Sequence, residues 1–361
     1  MRICFFGAYN PSYPRNAIIK KGLKMNGAEV SECRLDPRYK FWLRYPLLLS
    51  RWARFCRTHD FFFVPEFCQK DVPLAKFLSF LSSKKLIFDP LASRFETKIS
   101  DWRRKPADSP EGWWNYEIDI WAFKLSDLIL ADTLAHKNYY CQKYRLSSDK
   151  VEVLPVGFDD NFFKPSFSHI DKENSDYFTV LFYGSFLPLH GVEVMIQAAD
   201  IISKKDRSIR FRFMGSGQTL PKVKAEACEL GLDNVLFEGW TNLSKLVQKI
   251  DSADICLGIF GKTEKAKRVI PHKVYQSMGM KKAVITTKTS AVEEFFSHRK
   301  DIFLCPEPRP ELLAEAILEL KGDKILREEI AERGYQHVRE NFTPQAIGRR
   351  LVEIMEKHFI H

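Results

Sequence analysis

Three turns that follow strand-like segments contain glycine, which lets backbone N–H groups approach a phosphate closely. They lie at residues 7–15, 184–191 and 215–217. A helix that begins after such a turn adds the partial positive charge of its N-terminus, which favours an anionic group. Any tight turn can also need glycine for its backbone geometry, so one turn alone is a weak signal. Together the three turns predict phosphate contacts at Gly184, Gly215 and Gly217, and acceptor or phosphate contacts at Gly7 and Arg15.

A cluster of cations follows the predicted strand 255–260 and leads into a helix predicted to begin near Pro271. Arg268 and Lys273 flank that helix start, where a diphosphate would be held. An Arg side chain can bind two oxygens with its planar fork, whereas a Lys side chain acts as a point charge. The other cations of the cluster are predicted to be solvated; they are Lys262, Lys265 and Lys267.

The candidate catalytic residue is Asp89, which follows the predicted strand 86–88. At that position a carboxylate faces the cleft and can align a substrate hydroxyl or stabilise positive charge that develops on a substrate. The alternative is that Asp89 caps the turn before Pro90. His136 lies on a predicted helix, where a structural use is favoured. No carboxylate pair stands out as in a glycosidase, and no Asp-x-Asp pair or His/Cys cluster predicts a metal site.

The elements that must position these residues alternate between strand and helix along the whole chain. The predicted strands are 2–7, 29–34, 61–64, 86–88, 128–131 and 151–154, and then 178–183, 209–214, 235–238, 255–260, 283–286 and 302–305. This alternation predicts parallel sheets covered by helices on both faces. A break after Pro155, continuing through the polar stretch 166–176, separates the two halves. We therefore predict an α/β fold with two Rossmann-like, doubly wound domains facing a cleft, which binds ligands beyond the carboxyl ends of the strands.

Composition narrows the class of protein further. The chain has 361 residues and a formal net charge of +10. Residues 1–165 hold 27 basic against 19 acidic residues, so the front half favours an anionic partner. No apolar run approaches the length of a membrane span, and the N-terminus reads as a strand, not as a signal peptide. The eight cysteines include no Cys-x-x-Cys pair, which is typical of thiols in a reducing compartment. We expect a cytoplasmic protein.

Three segments resemble the motifs of glycosyltransferase family 4, in the same order along the chain. They read DLILADT at 127–133, VEVLPVGFD at 151–159 and IPHKVYQSMGMKKAVIT at 270–286. The resemblance extends over about residues 2–345. It implies the GT-B fold, with an acceptor domain at 1–165, a nucleotide-sugar domain at 166–343 and a C-terminal helix within 344–361 that crosses back. It also implies retention of anomeric configuration and no required metal or cofactor.

The chain departs from the family pattern at the donor site. Members commonly have an Arg and a Lys in the turn that here contains Ser185 and His190, which are the donor-site candidates of that turn. They also have two Glu residues eight positions apart, and here those positions are Arg268 and Gln276. Gln276 can still hydrogen-bond a ribose hydroxyl. Arg268 would replace the missing cation, and His190 would either donate to a phosphate or serve in capping and packing.

A basic and aromatic segment suggests where the protein meets a membrane. No acidic residue occurs from Pro37 to His59. On a helix predicted to begin near Pro46, Leu48, Leu49, Trp52 and Phe55 share one face, while the basic residues lie away from it. Such a helix suits anionic headgroups, although packing on the sheet is an alternative use of its apolar face. The residues assigned to the membrane are Arg44, Arg51, Trp52, Arg54, Phe55 and Arg57.

These features predict a hexosyltransferase-like enzyme of cell-surface polysaccharide or glycolipid synthesis, peripheral at the inner membrane face. Its partners would be a nucleotide-sugar donor, a glycan or lipid-linked acceptor and an anionic membrane. A nucleotide-sugar epimerase of the same fold and a catalytically inactive nucleotide-binding relative are the alternatives. Nucleic-acid binding is not predicted, because the basic segment is local and no nucleic-acid motif accompanies it.

Overall fold

The computed structural model describes residues 1–55, 58–102, 105–165 and 177–359, and it divides them into two compact units. The first unit comprises Met1–Gly157 and Phe342–His361, and the second comprises Phe158–Asn341. The domain boundary predicted after residue 165 therefore differs from the observed division by eight residues. The reason is packing: Phe158 is fully buried, and its ring lies against Gly279 of the second unit. The predicted polar linker 166–176 lies outside the described residues.

The first unit contains a six-stranded parallel sheet in the order β2-β1-β3-β4-β5-β6. Its strands are β1 (Arg2–Ala8), β2 (Glu29–Leu35), β3 (Phe61–Val64), β4 (Lys85–Phe88), β5 (Leu128–Ala131) and β6 (Val151–Val153). Its helices are α1 (Pro14–Met25), α2 (Phe41–Phe55), α3 (Val72–Leu81), α4 (Pro110–Leu125) and α5 (Leu134–Tyr144). The central strands are apolar and buried on both faces, as a sheet covered by helices on two sides requires.

The second unit contains another six-stranded parallel sheet, in the order β12-β11-β10-β7-β8-β9. Its strands are β7 (Phe178–Ser185), β8 (Ile209–Ser216), β9 (Val235–Glu238), β10 (Ile255–Leu257), β11 (Ala283–Thr287) and β12 (Phe303–Cys305). Its helices are α6 (Val192–Ser203), α7 (Leu220–Glu229), α8 (Leu243–Ser252), α9 (His272–Gly279), α10 (Ser290–Glu293), α11 (Pro310–Gly322) and α12 (Lys324–Asn341). The prediction of two Rossmann-like parallel-sheet domains is confirmed.

The last helix, α13 (Pro344–Phe359), belongs to the first unit and packs against α1. The two helices touch through backbone at Gly22 and Gly348, where a Cβ on Gly22 would lie 2.1 Å from the Pro344 carbonyl oxygen. None of the helices in the described part of the chain combines the length and apolar character that a bilayer-spanning segment requires.

Strand order fixes where each sheet can bind a ligand. In a doubly wound sheet, the crevice lies beyond the carboxyl ends of the two strands at which the winding reverses. Those strands are β1 and β3 in the first unit, and β7 and β10 in the second. Gly7 lies near the end of β1, and Gly184 lies near the end of β7. Gly7 and Gly184, two of the predicted ligand contacts, therefore lie at the switch points, where the winding of each sheet reverses.

Candidate functional site

The second unit holds a buried cation, Lys273, that has no counter-charge among the described residues. Its side chain is on the first turn of α9, the residue is only 6% exposed, and its Nζ has no hydrogen-bond partner there. The amine instead lies 3.8 Å from the centre of the Phe182 ring. Burial lowers the pKa of Lys273 well below its ordinary value. An unpaired buried ammonium is costly, so an anion would complete this arrangement.

Gly184 leaves the space that this amine occupies. Its φ of +142° is a backbone conformation that other residues rarely adopt, and a Cβ there would lie 2.9 Å from Lys273 Nζ. Any side chain at position 184 would therefore displace the Lys273 amine. The glycine places the cation at the carboxyl end of β7, beside the N-terminus of α9, where backbone N–H groups also favour an anion.

His190 lies beside Lys273, but its surroundings keep the imidazole neutral. Burial, followed by the positive charge of Lys273, lowers the pKa of His190 well below its ordinary value. The Nδ1–H donates to the Ser185 carbonyl oxygen, so Nε2 carries a lone pair and cannot donate to a phosphate. The prediction that His190 donates to a phosphate is not supported by this geometry and stays a prediction. Its backbone carbonyl accepts from Phe260 N at 2.9 Å, which fits the alternative packing role.

Gln276 is held in place by a tyrosine that the sequence did not single out. The Tyr183 hydroxyl lies 3.3 Å from Gln276 Oε1 and 3.1 Å from both the Lys273 carbonyl oxygen and Ser277 Oγ. Since Oε1 faces Tyr183, the Nε2 group of Gln276 points a donor elsewhere. Tyr183 thus connects β7 to the first turns of α9 and fixes the distance between Lys273 and Gln276 along the helix.

Two further donor-site candidates, Gly215 and Gly217, allow backbone segments to pack closely because they have no side chain. A Cβ at Gly215 would lie 2.0 Å from the Gly184 carbonyl oxygen, and one at Gly217 would lie 2.5 Å from Phe186 N. These glycines let the end of β8 pack on the turn after β7. Arg268 is half-buried on the segment before α9, and its N–H donates to the Lys265 carbonyl oxygen at 3.0 Å.

The sequence predicts that Lys265 is solvated, but the structure does not expose it fully. The residue is half-buried, and its charge helps to lower the pKa of His190, after the larger effects of burial, Lys273 and the opposing hydrogen bond. Lys262 and Lys267 are exposed as predicted, and Lys267 pairs with Glu264 at 2.7 Å. The three lysines differ in exposure because of their positions on the loop.

In the first unit the proposed catalytic Asp89 is fully buried in an ion pair. Arg15 Nε lies 2.7 Å from Asp89 Oδ2 and 2.9 Å from Oδ1, and neither side chain is exposed. The remaining Arg15 nitrogens donate to the carbonyl oxygens of Leu154 and Pro155 at 3.1 and 3.2 Å. Burial raises the pKa of Asp89, against the effect of Arg15. The structure therefore assigns both residues to the interior, which corrects their assignment to catalysis and acceptor contact.

A second buried charge network lies close to this pair. His136 Nδ1 is 2.6 Å from Asp132 Oδ1, and its Nε2 is 3.1 Å from Glu96 Oε2. Burial alone would lower the pKa of His136, but the two carboxylates raise it to about 9. Burial and the Asp89 charge raise the pKa of Glu66 to about 9. The favoured structural use of His136 agrees with its complete burial.

Gly7 is enclosed by a carboxylate, not by an anion-binding loop. The N–H of Ala8 donates to Asp71 Oδ2 at 2.8 Å, and a Cβ at Gly7 would lie 3.2 Å from that oxygen. A carboxylate at this position repels phosphate. The prediction of a phosphate contact at Gly7 is not supported by this geometry.

The basic helix α2 begins at Phe41 and contains Pro46 within it, five residues earlier than predicted. Its inward face centres on Leu48, which is fully buried, whereas Leu49 is 43% exposed. Arg44 lies mostly inside: its Nη1 is 3.8 Å from Asp71 Oδ2, and its Nε donates to the Tyr39 carbonyl oxygen.

The other residues assigned to the membrane divide between exposed and half-buried positions. Arg51 and Arg54 are exposed, and Trp52 is half-buried. The Phe55 side chain and Arg57 lie outside what the structure describes. Among the described residues of this set, Arg51 and Arg54 present the predicted cations at the surface.

Among the side chains that the structure describes, no group of three or more His, Cys, Asp or Glu residues is arranged to hold a metal ion.

Sequence reasoning missed Phe182, Tyr183 and Lys265 in the second unit, and Glu96 and Asp132 around His136. Phe182 and Tyr183 immediately precede Gly184, so their place at the end of a strand was the available signal. Asp132 lies four residues before His136, just before the N-cap Thr133 of α5, so their closeness in sequence was the available signal. The Glu96 contact joins distant segments, and no local pattern indicates it.

The sequence of this chain is similar to those of known glycosyltransferases. Residues 164–337 match the family model described as Glycosyl transferases group 1. A putative colanic acid biosynthesis glycosyltransferase, WcaL of Salmonella typhimurium, is 25% identical over 170 residues, which cover 46% of this chain and 42% of WcaL. The uncharacterized glycosyltransferase MJ1178 of Methanocaldococcus jannaschii is 23% identical over 220 residues, covering 58% of this chain and 60% of MJ1178. The chain thus spans about half the length of the curated relatives it matches.

Solved structures show the same fold over nearly the whole chain. Anabaena Alr3699/HepE in complex with UDP-glucose has a TM-score of 0.75 at 17% identity, covering 99% of this chain and 100% of that one. Sucrose-phosphate synthase from Thermosynechococcus elongatus has a TM-score of 0.75 at 13% identity, covering 100% and 99%. The predicted GT-B fold is therefore confirmed, whereas the narrower assignment to family 4 stays a prediction. Residues 164–337, which carry the Lys273 arrangement, are thus similar to the glycosyl transferases of group 1.

Proposed function

We propose that this protein is a retaining glycosyltransferase that moves a sugar from a nucleoside-diphosphate sugar to a glycan or lipid-linked acceptor. The observation that carries the proposal is the buried, unpaired Lys273 amine at the switch point of the second sheet. A diphosphate supplies the anion that this amine lacks. The match of residues 164–337 to glycosyltransferases supports the same assignment.

Under this proposal, different residues of the site contact different parts of the donor. Lys273 and the first N–H groups of α9 neutralise the diphosphate, whose charge grows as the glycosidic bond to the leaving phosphate breaks. Gln276, oriented by Tyr183, presents its Nε2 donor to a ribose hydroxyl. His190 supports the turn and contributes no charge. Arg268 remains a proposed phosphate contact from the half-buried segment before α9.

Two named relatives support the choice of donor and pathway. Alr3699/HepE was crystallised with UDP-glucose, which makes a uridine diphosphate hexose the first donor to test. WcaL is described as a colanic acid biosynthesis glycosyltransferase, which supports a place in the synthesis of a cell-surface polysaccharide. The comparisons do not favour the epimerase or the inactive relative.

The direct test measures the melting temperature of the protein with UDP, GDP, ADP and their hexose conjugates. A ligand that binds only the folded state raises that temperature in proportion to RT ln(1 + [L]/Kd). We expect one nucleotide series to stabilise the protein and the Lys273→Ala variant to lose the effect. A product with the donor's anomeric configuration, seen by NMR, would support retention. No stabilisation by any nucleotide would overturn the proposal.

Catalysis without a metal is part of the proposal. Transfer should continue in excess chelator, because Lys273 and the α9 N-terminus supply the positive charge that a divalent ion supplies elsewhere. Loss of activity with chelator and recovery with Mg²⁺ or Mn²⁺ would contradict it.

We also propose a cytoplasmic protein that is peripheral at the inner membrane face. The exposed cations Arg51 and Arg54 lie on α2, within a segment free of acidic residues. Each basic residue near an anionic surface contributes about 1 kcal/mol. Replacing both by Glu should weaken sedimentation with anionic vesicles and leave nucleotide binding unchanged. Equal sedimentation of both proteins would refute this placement.

A further inference from the structure

Helices α3 and α4 of the first unit expose an unusual number of large apolar side chains. Phe80 is 78% exposed and Trp113 is 61% exposed, although each belongs to a regular helix. The set, called here the aromatic surface, comprises Phe77, Phe80, Leu81, Trp113, Trp114, Trp121 and Leu125. The two helices pack against each other. Together these side chains expose on the order of 800 Å².

The inner sides of the same helices are already satisfied. Leu74, Ala75 and Leu78 of α3 are buried, as are Ile118, Ala122 and Phe123 of α4. The exposed set is therefore a second apolar face that the core of the first unit does not use. Such a face needs a partner outside the unit.

The neighbouring helix identifies the partner. Right-handed crossovers place α2, α3 and α4 on one face of the sheet, because each leads in the same direction across the strand order. On α2, Trp42, Leu43 and Leu47 are exposed together with Arg51 and Arg54. Helix α4 itself is net acidic, with Glu111, Glu117 and the buried Asp119 against Lys124, so the positive character comes from α2.

We propose that the aromatic surface of α3 and α4 inserts into the interface of an anionic lipid bilayer, while the cations of α2 bind the headgroups. Tryptophan favours the interfacial region of a bilayer, and the cations complement anionic lipids. This inference rests on the proposed peripheral membrane association and extends it. The basic helix alone would give a weak, salt-sensitive contact, whereas the inserted aromatic side chains hold the protein when salt screens the charges.

Flotation with vesicles of phosphatidylcholine and phosphatidylglycerol tests the proposal, using the full chain. The variants are Trp114→Gln/Trp121→Gln and, as a milder change on α3, Phe80→Ser. The matched control is Trp240→Ala in the second unit, where Trp240 is 56% exposed and outside the aromatic surface. We expect vesicle affinity in high salt to fall roughly tenfold or more in the double variant, to fall less in Phe80→Ser, and to stay unchanged in the control. Quenching of tryptophan fluorescence by doxyl-labelled lipids should fall in the same order.

Donor binding, followed by the melting shift with nucleotides, separates this proposal from the proposed function. Vesicle binding without any nucleotide binding would leave the aromatic surface intact and overturn the enzymatic assignment. Nucleotide binding with equal flotation of all variants would overturn the aromatic surface. A wild-type protein that ignores vesicles but forms dimers, which the double variant dissociates, would assign the surface to a second copy and overturn the proposal as well.

Discussion

Each unit buries a cation near the carboxyl ends of its strands, but only one of the two is paired. Arg15 of the first unit has both Asp89 oxygens within 2.9 Å and two backbone carbonyl oxygens besides. Lys273 of the second unit has an aromatic ring and no hydrogen-bond partner among the described residues. The Arg15 charge is compensated within its own unit, whereas under the proposed function the Lys273 amine is compensated by the phosphates of the donor.

The pairing also determines how each residue responds to change. Removing one partner of a complete buried pair leaves the other charge uncompensated, which destabilises the fold. Removing an unpaired buried charge relieves the apo protein and removes a ligand contact. Substituting a member of the Arg15–Asp89 pair should therefore lower stability. Substituting Lys273 should raise the stability of the ligand-free protein and lower its activity.

The largest expected effect is that of Asp89→Asn. The substitution leaves the Arg15 guanidinium buried without a counter-charge, and Arg cannot shed its proton, so the free energy of unfolding should fall by about 3–5 kcal/mol. Denaturant unfolding measures it. Arg15→Met is the matched control: it leaves an Asp89 whose pKa is already raised by burial and which can protonate, so its loss should be smaller. A loss of less than about 1 kcal/mol in the free energy of unfolding of Asp89→Asn would contradict the difference drawn between the paired Arg15 and the unpaired Lys273.

Lys273→Ala should reduce turnover by about 30- to 1000-fold, or roughly 2–4 kcal/mol, because the contact strengthens as the phosphate leaves. The effect should be on kcat more than on KM. Without ligand, Lys273→Met should unfold at a higher temperature than the wild type, since it replaces an uncompensated charge by an apolar side chain of similar length. A variant that is both active and less stable would contradict the assignment of Lys273 to the donor.

The two units should also differ in how their stability depends on pH. His136 has a folded pKa of about 9 against an ordinary 6.5, so its stabilisation is complete below pH 6.5 and lost as the pH rises to about 9. The pKa of Lys273 is lowered instead, so the penalty it imposes shrinks as the pH rises towards 10.5. The free energies of unfolding of His136→Gln and Lys273→Met, each compared with wild type across this range, should converge on the wild-type value as the pH rises. For His136→Gln the change across this range should be on the order of 1–3 kcal/mol. Differences that do not change with pH would refute these protonation states.

His190→Ala should lower activity about five- to tenfold through loss of the hydrogen bond that holds the turn. Because the imidazole is neutral, the ratio of wild-type to variant kcat/KM should be the same from pH 6 to pH 9. A ratio that changes with an apparent pKa near the ordinary value of His would show that His190 acts as an imidazolium.

The smallest effect is expected at Lys265. Its half-buried charge lies near enough to affect the electrostatics at His190, so Lys265→Ala should remove a weak attraction for the donor's phosphates and lower kcat/KM about two- to threefold, comparable to a weak charge pair. Lys262→Ala, an exposed position on the same loop, is the control and should show no change. Equal losses in both would mean that the loop acts through its general positive charge.

The sequence alone determined the fold class, because strand and helix periodicity is local. The predicted strands 61–64 and 128–131 match β3 and β5 residue for residue. The predicted strand 255–260 was too long: β10 ends at Leu257, since the N–H of Ile259 donates to the Thr286 side chain instead of continuing the ladder. Lys273 and Gly184 could be proposed because glycine turns and helix starts have local signatures, whereas Gln276 was proposed from the resemblance to glycosyltransferase family 4.

Only the tertiary structure decided what each charged residue does. Arg15 and Asp89 are 74 positions apart, and their sequence contexts do not differ from those of ligand-binding residues at strand ends. Whether a buried charge is paired depends on which distant segments the sheet order brings together, and the same is true of the neutral His190 and of the exposed aromatic side chains on α3 and α4. Periodicity specifies which residues leave the solvent, but the long-range contacts specify which of them still need a partner.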